Sequence, residues 1–493
     1  MINCKVTKEV IEELALNDDI LILGYNKKQH LLFDEETPVP VEGAKGLTQN
    51  IIQVNADDVW EAGYTGEGVV VAVIDSGVNY NHLDLADHLW DGGPEFPHHG
   101  YDFTNNDNDP MDDNGHGTHC SGTVCGDGTA GTQTGMAPNA TLMCVKMLDS
   151  EGSGYLAESI DGIQFAVEHG ADVLSMSFGW SGGGSESVRI SYRNTLTNAL
   201  EAGVVAAVSA GNEGNKLNKY PVPNNVGAPG NCPPPWLHPD QTLLGGTPCV
   251  VCVGAVDYDD EAAYFTSHGP VTWQSISGFW DYPYNPGIGL IRPDVSAPGV
   301  DIVSLNYSGN TGYTTMSGTS MAAPCVAGVM CLMLSKNYDL TPAEVDEILE
   351  TTGVQLTATK SNLTGSCRVD AMAAVDAISV GPVKFHNAYV DDAEGNNDHQ
   401  LNPGETVSLD ICLYNSSNDV LGDATVTLSS NSEFVTMINP VAVFPGFGPG
   451  EIVCVNHAFT FEISENAIPT SDINFTIEAE IEGQNLSRAN SNS

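Results

Sequence analysis

Three short glycine-rich segments carry the residue types that acyl transfer requires. Asp75 ends an apolar run, His116 lies in an Asn-Gly-His-Gly-Thr-His segment, and Ser320 lies in a Gly-Thr-Ser-Met-Ala-Ala-Pro segment. A serine hydroxyl is a poor nucleophile at neutral pH, so it needs an imidazole to accept its proton and a carboxylate to orient that imidazole. Taken singly, each segment is more often a turn, a loop or a helix cap. Together they supply a nucleophile, a base and an orienting acid.

The order Asp, His, Ser, with these flanking residues, resembles that of the subtilisin-like serine proteases, the subtilases, from roughly Thr48 to Ala377. The resemblance implies an endopeptidase in which Ser320 attacks the peptide carbonyl, His116 transfers the proton and Asp75 orients His116. It also implies an oxyanion hole, because Asn212 stands in a Gly-Asn-Glu-Gly segment where subtilases carry a side-chain amide donor. An ordinary Asn-Gly turn is the alternative for Asn212.

The resemblance further implies two strands that hold an extended protein or peptide substrate between them. Main-chain hydrogen bonds of this kind bind a peptide with little regard to its sequence. The near side of the pocket for the residue before the scissile bond is expected at Ser177, Phe178 and Gly179. The opposing strand is expected at Gly152, Ser153 and Gly154, with Leu156 near the pocket for the fourth residue. The alternative is that these positions are ordinary strand and turn residues.

The segments around the reactive residues predict a doubly wound α/β domain with a mostly parallel sheet. Val69 to Ile74 is a continuous apolar run typical of a buried parallel strand, and open α/β sheets place their chemistry at the carboxyl ends of such strands. Small residues from His116 to Thr123 suit the start of a packed helix. Met321 to Leu334 is apolar and long enough for a central helix, with Pro324 tolerated in its first turn. Ser320 is therefore expected near a helix N-terminus.

Composition is that of a large globular protein with a strong negative charge. The 493 residues are 41% hydrophobic, and 64 Asp and Glu against 16 Lys and Arg give a formal net charge of −48. Phosphate binding needs clustered Lys and Arg, so nucleic acid is almost excluded as a partner. The chain has no apolar run of the ~18 residues that a membrane helix needs. We expect a monomer of two or three domains.

Calcium is the cofactor that this charge favours, at two candidate positions. Five carboxylates lie among the twelve residues from Asp102 to Asp113, and oxygen ligands at this density suit Ca²⁺. The resemblance to subtilases adds weight to Asp107 and Asp109 in this loop. Asp84 matches a subtilase calcium carboxylate, although the usual partner loop at residues 127–134 lacks the expected asparagines. A solvated acidic turn is the alternative at either position.

The twelve cysteines favour no single interpretation. Several of them stand in apolar runs, where a thiol behaves as a small buried hydrophobe. We therefore expect free buried thiols rather than disulfides as the general case. Cys249 and Cys252 have CxxC spacing but no second pair, so they are assigned neither a metal nor a redox role.

The N-terminal segment is expected to be an inhibitor that the enzyme itself removes. Thr7 to Asn17 has helical periodicity, and Ile20 to Leu23 is a short apolar strand. The pair resembles the last helix and strand of a subtilase propeptide, which covers the substrate cleft as an intramolecular inhibitor. We expect self-cleavage between about Pro40 and Asn50. An ordinary N-terminal extension is the alternative.

The last quarter of the chain has a different pattern. Short alternating runs, such as Val383 to Val390 and Thr406 to Tyr414, are separated by turn-rich stretches. This spacing predicts an antiparallel all-β sandwich. The expected division is a propeptide-like segment over residues 1–46, a subtilisin-like catalytic domain over 47–381 and a sandwich over 382–493.

The sequence as a whole predicts a calcium-assisted serine endopeptidase that is secreted or held at the cell surface. The thiols, and the absence of a signal-peptide core in Met1 to Val10, favour an intracellular processing protease as the alternative. A third hypothesis is an inactive or masked protease scaffold whose sandwich serves binding or surface attachment.

Overall fold

The computed structural model divides into two compact units, Met1–Ile378 and Ser379–Ser493. In the first unit it describes residues 26–30, 39–41, 46–237, 246–247, 249–276 and 289–378, with single residues 10, 14 and 241. In the second it describes 383–391, 401–417, 419–430, 432, 434–467, 475–481 and 484–491. Apart from residues 10 and 14, the predicted helix over Thr7 to Asn17 and the strand over Ile20 to Leu23 lie outside the described residues.

The first unit combines parallel strands with helices. Its strands are β1 (Gln29–His30), β2 (Val39–Val41), β3 (Gly46–Leu47), β4 (Val70–Asp75), β5 (Gly100–Asp102), β6 (Thr132–Gln133), β7 (Thr141–Lys146), β8 (Ser153–Gly154), β9 (Val173–Met176), β10 (Val205–Ser209), β11 (Trp236–Leu237), β12 (Gly246–Thr247), β13 (Val251–Val256), β14 (Val295–Pro298), β15 (Ile302–Leu305) and β16 (Tyr313–Met316). Its helices are α1 (Gln49–Gln53), α2 (Ala56–Glu61), α3 (His116–Cys125), α4 (Leu156–Glu168), α5 (Glu186–Glu201), α6 (Thr319–Lys336), α7 (Pro342–Thr352) and α8 (Ala371–Ala377), and a 3-10 turn spans Ser181–Gly183.

A seven-stranded parallel sheet in the order β14-β13-β10-β9-β4-β7-β5 confirms the doubly wound α/β class. Strand β4 reads Val-Val-Ala-Val-Ile-Asp, and every residue after Val70 is buried, as expected for a parallel strand covered on both faces. The chain passes from β7 on one side of β4 to β9 on the other side. This crossing creates a topological switch point beside the carboxyl end of β4, where Asp75 lies.

Helix α6 is the central helix that the apolar run predicts. It begins at Thr319, two residues before Met321, and its residues are buried from Thr319 to Leu334. A helix that is apolar all round belongs in a core, because it has no polar face to present to water. By length and composition α6 could cross a membrane, but 89% of its apolar window is buried inside the protein.

The second unit is an antiparallel β-sandwich, which confirms the predicted class. Its strands are β17 (Val383–Asp391), β18 (Thr406–Asn415), β19 (Ala424–Ser430), β20 (Val435–Asn439), β21 (Val441–Phe444), β22 (Ile452–Ile463), β23 (Phe475–Ile481) and β24 (Gln484–Ser491). They form two four-stranded sheets, β17-β18-β22-β20 and β21-β19-β23-β24. Buried aromatic side chains such as Phe444, Phe459 and Phe461 fill a core of their own.

The expectation of free thiols is wrong for one pair of cysteines. Cys412 and Cys454 face each other on β18 and β22 and form a disulfide across 42 residues. Nine other described cysteines are free and buried, as expected. The sequence did not reveal the pair because each cysteine stands in a strand whose partner is defined only by the sheet.

The disulfide predicts a stability difference that reduction reveals. Removing it with the double variant Cys412→Ala and Cys454→Ala should lower the free energy of unfolding of the sandwich by about 2–4 kcal/mol, since the unfolded chain gains conformational entropy. Scanning calorimetry of the full chain with and without reductant measures this. Cys367→Ala, which removes a free buried thiol, should respond to reductant like the parent. A parent Tm that ignores reductant would contradict the bond.

Candidate active site

The carboxyl end of β4 and the first residue of α3 bring a carboxylate and an imidazole together. Nδ1 of His116 lies 2.8 Å from Oδ1 of Asp75, and the two side chains are only 5% and 1% exposed. The backbone N–H of Ser76 donates to the same oxygen at 2.7 Å. An imidazole whose Nδ1–H is donated to a carboxylate keeps the lone pair on Nε2, so His116 is prepared to accept a proton there.

The same motif contains a second histidine with a different environment. Nε2 of His119 bonds the carbonyl oxygen of Ile302 at 3.0 Å, and the residue is completely buried. Burial lowers the pKa of His119 to about 3, so its ring is neutral at ordinary pH. His119 therefore ties α3 to β15, and His116 is the histidine available for proton transfer.

Ser320 stands in the first turn of α6, as its neighbours predict. Its Oγ donates to the carbonyl oxygen of Ser177 at 3.1 Å, and Oγ of Ser177 donates to the carbonyl oxygen of Ser320 at 2.8 Å. These reciprocal bonds hold the start of α6 against the segment that follows β9. The hydroxyl is thereby fixed beside one of the two expected substrate strands.

A buried thiol lies between the histidine and the serine. Sγ of Cys120 is 3.8 Å from Nδ1 of His116 and donates to the carbonyl oxygen of Ser320 at 3.4 Å. Because both contacts come from one side chain, α3 and α6 meet at the reactive residues. Burial raises the pKa of Cys120 to about 11, so the group is a neutral thiol at ordinary pH and does not compete with Ser320 as a nucleophile.

The side chain of Asn212 is oriented by the residue that precedes Ser320. Its Oδ1 accepts hydrogen bonds from the backbone N–H of Thr319 at 3.0 Å and from the Thr319 hydroxyl at 2.9 Å. A backbone N–H can only donate, so the oxygen end of the amide is assigned by this contact. The amide nitrogen of Asn212 is left as a donor next to the start of α6.

The expected substrate residues fall into three structural situations. Ser153 and Gly154 form β8, which pairs in antiparallel register with β1, Gln29 opposite Gly154 and His30 opposite Ser153. Phe178 is completely buried in the core, so only its main chain is available to a peptide. Leu156 is neither a strand nor a turn residue, because it begins α4 and packs against the core.

Asp112 is a residue of the site whose role the sequence did not reveal. Its Oδ1 accepts from the Ser76 hydroxyl at 2.9 Å and from the backbone N–H groups of Asn114 and Gly115, and its Oδ2 accepts from the backbone N–H and hydroxyl of Thr118. The Ser76 hydroxyl in turn accepts from the backbone N–H of Gly117 at 2.9 Å. The buried carboxylate thus joins the residue after Asp75 to the turn that carries His116.

A buried lysine completes the support of the same strand end. Nζ of Lys146, which is 1% exposed, donates to the carbonyl oxygens of Ser76 and Leu148 and to Asp113 at 2.6 Å. Ser76 is therefore held at its backbone N–H, hydroxyl and carbonyl. The acidic spacing of this loop predicts a metal site or a solvated turn, because spacing alone does not distinguish either from a carboxylate that accepts internal donors.

The three candidate calcium carboxylates lie at two separate positions and accept hydrogen bonds from the protein. Asp84 accepts from the backbone N–H of Ala130 and from the Tyr313 hydroxyl at 2.8 Å. Asp107 accepts from the backbone N–H of Asp109 at 2.9 Å, and Asp109 accepts from the Tyr80 hydroxyl at 2.8 Å. Ca²⁺ requires six to eight oxygens that converge on one point. Protein donors contact both oxygens of Asp84 but only Oδ1 of Asp107 and Oδ1 of Asp109, so calcium at either position stays a prediction.

Clusters with metal-ligand chemistry occur elsewhere among the described residues. The groups whose ligand atoms lie within 4.8 Å of one another are Asp75 with His116 and Cys120, Asp87 with His88 and Asp127, and Asp391 with Asp410 and His457. None of them contains Asp84, Asp107 or Asp109. The first cluster consists of Asp75, the His116 imidazole that it orients, and the neutral thiol of Cys120 beside them.

A hydroxyl, an imidazole, a buried carboxylate and an amide donor on a doubly wound sheet are the parts of a serine hydrolase site. The model of the subtilase family matches residues 66–374, which is more than half of the chain. The chain belongs to the subtilase family of serine endopeptidases.

Individual relatives agree with this membership. Serine protease AprX of Bacillus subtilis (strain 168) is 35% identical over 320 residues, which are 58% of this chain and 61% of that protein. Subtilisin E of the same strain is 32% identical over 352 residues, 71% of this chain and 78% of that protein. The thermophilic serine proteinase of Bacillus sp. (strain AK1) is 33% identical over 304 residues, 62% and 61% of the two chains. The chain therefore spans only part of the length of AprX.

The Asp112 network predicts a loss of turnover without a loss of binding. In Asp112→Asn the amide cannot accept donors on both sides, so the turn carrying His116 should shift relative to Asp75. Misplacement by about 1 Å can cost up to ~10²-fold, and we expect kcat to fall between about tenfold and a hundredfold with KM nearly unchanged. Steady-state peptide hydrolysis measures both constants.

The matched control is Asp91→Asn, an exposed loop aspartate that accepts one bond from the backbone N–H of Gly93. It makes the same chemical change and should leave kcat unchanged. Equal kcat in Asp112→Asn and the parent would show that the network does not position His116.

Proposed function

We propose that this protein is an active serine endopeptidase in which Asp75, His116 and Ser320 act as a triad. The observation that carries the proposal is the buried 2.8 Å contact between Asp75 and Nδ1 of His116. It fixes the tautomer and the orientation of the imidazole, which is the task of the carboxylate in such a site.

Hydrolysis proceeds in two steps, which are the acylation of Ser320 and the hydrolysis of the acyl-enzyme. Oγ of Ser320 attacks the scissile carbonyl while its proton moves to Nε2 of His116, and the resulting imidazolium, stabilised by Asp75, gives that proton to the leaving amine. The acyl-enzyme is then attacked by water, whose proton passes through the same nitrogen back to the serine.

The negative oxygen of each tetrahedral intermediate is stabilised by donors at the start of α6. We assign this role to the amide nitrogen of Asn212 and the backbone N–H of Ser320. Both donors are held in place before the substrate arrives, so no reorganisation is needed when charge develops. The partial positive charge of the helix N-terminus acts in the same direction.

The mechanism predicts a graded set of losses. Ser320→Ala should abolish peptide hydrolysis while Tm stays near that of the parent, and His116→Ala should be nearly as severe. Combining the two should add little, because such residues act as a unit. Asn212→Ala should lower kcat by about 10²–10³. Full activity of Ser320→Ala would refute the mechanism.

A masked or inactive scaffold is the competing proposal, and labelling separates the two. A fluorophosphonate forms a covalent bond with an activated serine hydroxyl, so the parent should be labelled and Ser320→Ala should not. If the N-terminal segment is retained and blocks the site permanently, the parent should resist labelling until residues 1–45 are removed by limited proteolysis. That result would favour the masked scaffold.

The position of β1 supports inhibition by the chain's own N-terminal segment. The backbone N–H groups of Met147 and Leu148 donate to the carbonyl oxygen of Asp75 at 2.9 and 3.2 Å, so the chain leaves the triad there and continues to β8. Strand β1 pairs with β8 in antiparallel register, which is the pairing expected of a bound substrate strand. Residues 29–30 therefore occupy main-chain groups of β8 that a substrate would use.

The same topology moves the expected cleavage site toward the N-terminus. Strand β2 pairs with β16, and β3 pairs with β6, so residues 39–41 and 46–47 are held in sheets. A bond held in a sheet is a poor substrate, since a protease requires an extended segment in its own cleft. We therefore propose cleavage between His30 and Val39, with the interval between Pro40 and Asn50 as the alternative.

N-terminal sequencing of the purified protein tests this. The parent should begin between residues 31 and 39, and Ser320→Ala should retain its original N-terminus. A parent that begins between residues 41 and 50 would refute the register argument but keep self-cleavage. An active parent that retains its original N-terminus would refute self-cleavage altogether.

The disulfide between Cys412 and Cys454 supports a secreted or cell-surface location. Disulfides form and persist in oxidising compartments and are rare in the cytosol. The nine free thiols are buried, so an oxidising solvent does not reach them. For this reason they do not favour the intracellular alternative.

A further inference from the structure

One ion pair joins the N-terminal segment to the turn before β8. Lys28, directly before β1, has its Nζ against Oδ2 of Asp149, with side-chain exposures of 44% and 17%. Two residues earlier, Oδ1 of Asn26 accepts from the backbone N–H of Ala157 in the first turn of α4, at 3.3 Å. The segment is thus held by side chains as well as by the β1–β8 pairing.

The two oxygens of Asp149 have separate tasks. Oδ1 accepts from the backbone N–H groups of Glu151 and Ser153, both at 3.0 Å, and so closes the turn that leads into β8. Oδ2 faces Lys28. The turn is closed by Oδ1 alone, so Oδ2 can contact a cation on a bound peptide.

The surroundings add to this preference for positive charge. Glu151 lies in the same turn and Glu158 in the first turn of α4, where it accepts from the backbone N–H of Tyr155. The hydrogen bond to Asp149 raises the pKa of Lys28, and the charges of Asp149 and Glu151 act in the same direction. The chain has only 16 Lys and Arg against 64 Asp and Glu, so few of its acidic side chains have a cation as partner, and Asp149 is one that does.

We propose that Asp149 determines substrate specificity by selecting Lys or Arg at one position of a bound peptide. That position is the one that Lys28 occupies, directly before the residue that pairs with Gly154. This inference rests on the proposed function, since it takes β1 to lie where a substrate lies. The preferred substrates are then peptides with a basic residue several positions before the scissile bond. A neutral or acidic residue there binds more weakly.

Competition by a synthetic peptide of residues 24–38 tests the inference. The processed full-length enzyme hydrolyses casein, and the inhibition constant of the peptide is measured whether or not the peptide is itself cut. Lys28→Ala in the peptide should weaken inhibition by up to about fivefold at low salt, the upper end of the range for a partly exposed ion pair, and Lys28→Glu should weaken it more. The difference should disappear near 1 M salt, where charges are screened.

Two controls are built into the chain. Lys27→Ala in the peptide removes the same charge one residue away and should leave inhibition unchanged. Asp149→Asn in the enzyme keeps an oxygen for Glu151 and Ser153 but loses the charge that faces Lys28, so it should bind the parent and Lys28→Ala peptides equally.

Each contrary outcome has a definite meaning. Equal effects of Lys27→Ala and Lys28→Ala would show non-specific attraction to an acidic protein and overturn the inference. A Lys28 effect that survives in Asp149→Asn would also overturn it. Casein hydrolysis without inhibition by the parent peptide would refute the occupancy of β8 by this segment. An enzyme that does not hydrolyse casein would refute the proposed function itself.

Discussion

The buried hydrogen bond between Asp75 and His116 is the interaction on which the rest of the site depends. A carboxylate taken out of water is costly unless donors compensate it. Oδ1 of Asp75 receives His116 and the backbone N–H of Ser76, whereas Oδ2 is buried without a hydrogen-bond partner among the described residues. The proposed proton transfer from Ser320 would place a positive imidazolium beside this carboxylate, where opposite charges attract.

This pair can be short and buried because rigid elements approach it from several sides. Strand β4 lies inside the sheet, α3 begins at His116, and α6 begins at the residue before Ser320. Asp112 and Lys146 then bind the polar groups of Ser76, so the end of β4 cannot move independently of the turn before α3. Backbone flexibility is thereby removed where an error of ~1 Å would be felt most.

Strand β8, the proposed substrate strand, is held less extensively than the triad residues. β8 is only two residues long and offers main-chain groups that any extended segment can satisfy, which is why the chain's own residues 29–30 pair with it. Selectivity in such a cleft has to come from side chains at its edge. Asp149 and its acidic neighbours provide negative charge at that edge, in a protein whose net charge is itself strongly negative.

The sequence by itself determined the class of the protein. The runs of β4 and α6 predicted buried elements, and the flanked Asp, His and Ser predicted the chemistry, because these signals are local and residue spacing along one element carries them. Only the tertiary structure determines which groups Asp112 contacts, that Phe178 is buried and that Leu156 begins a helix. It also determines the disulfide partner of Cys412. Asp112 meets Ser76 across 36 residues and Cys412 meets Cys454 across 42. Whether an acid binds metal or internal donors, and whether a thiol finds a partner, depends on what the fold brings near it, which local spacing does not contain.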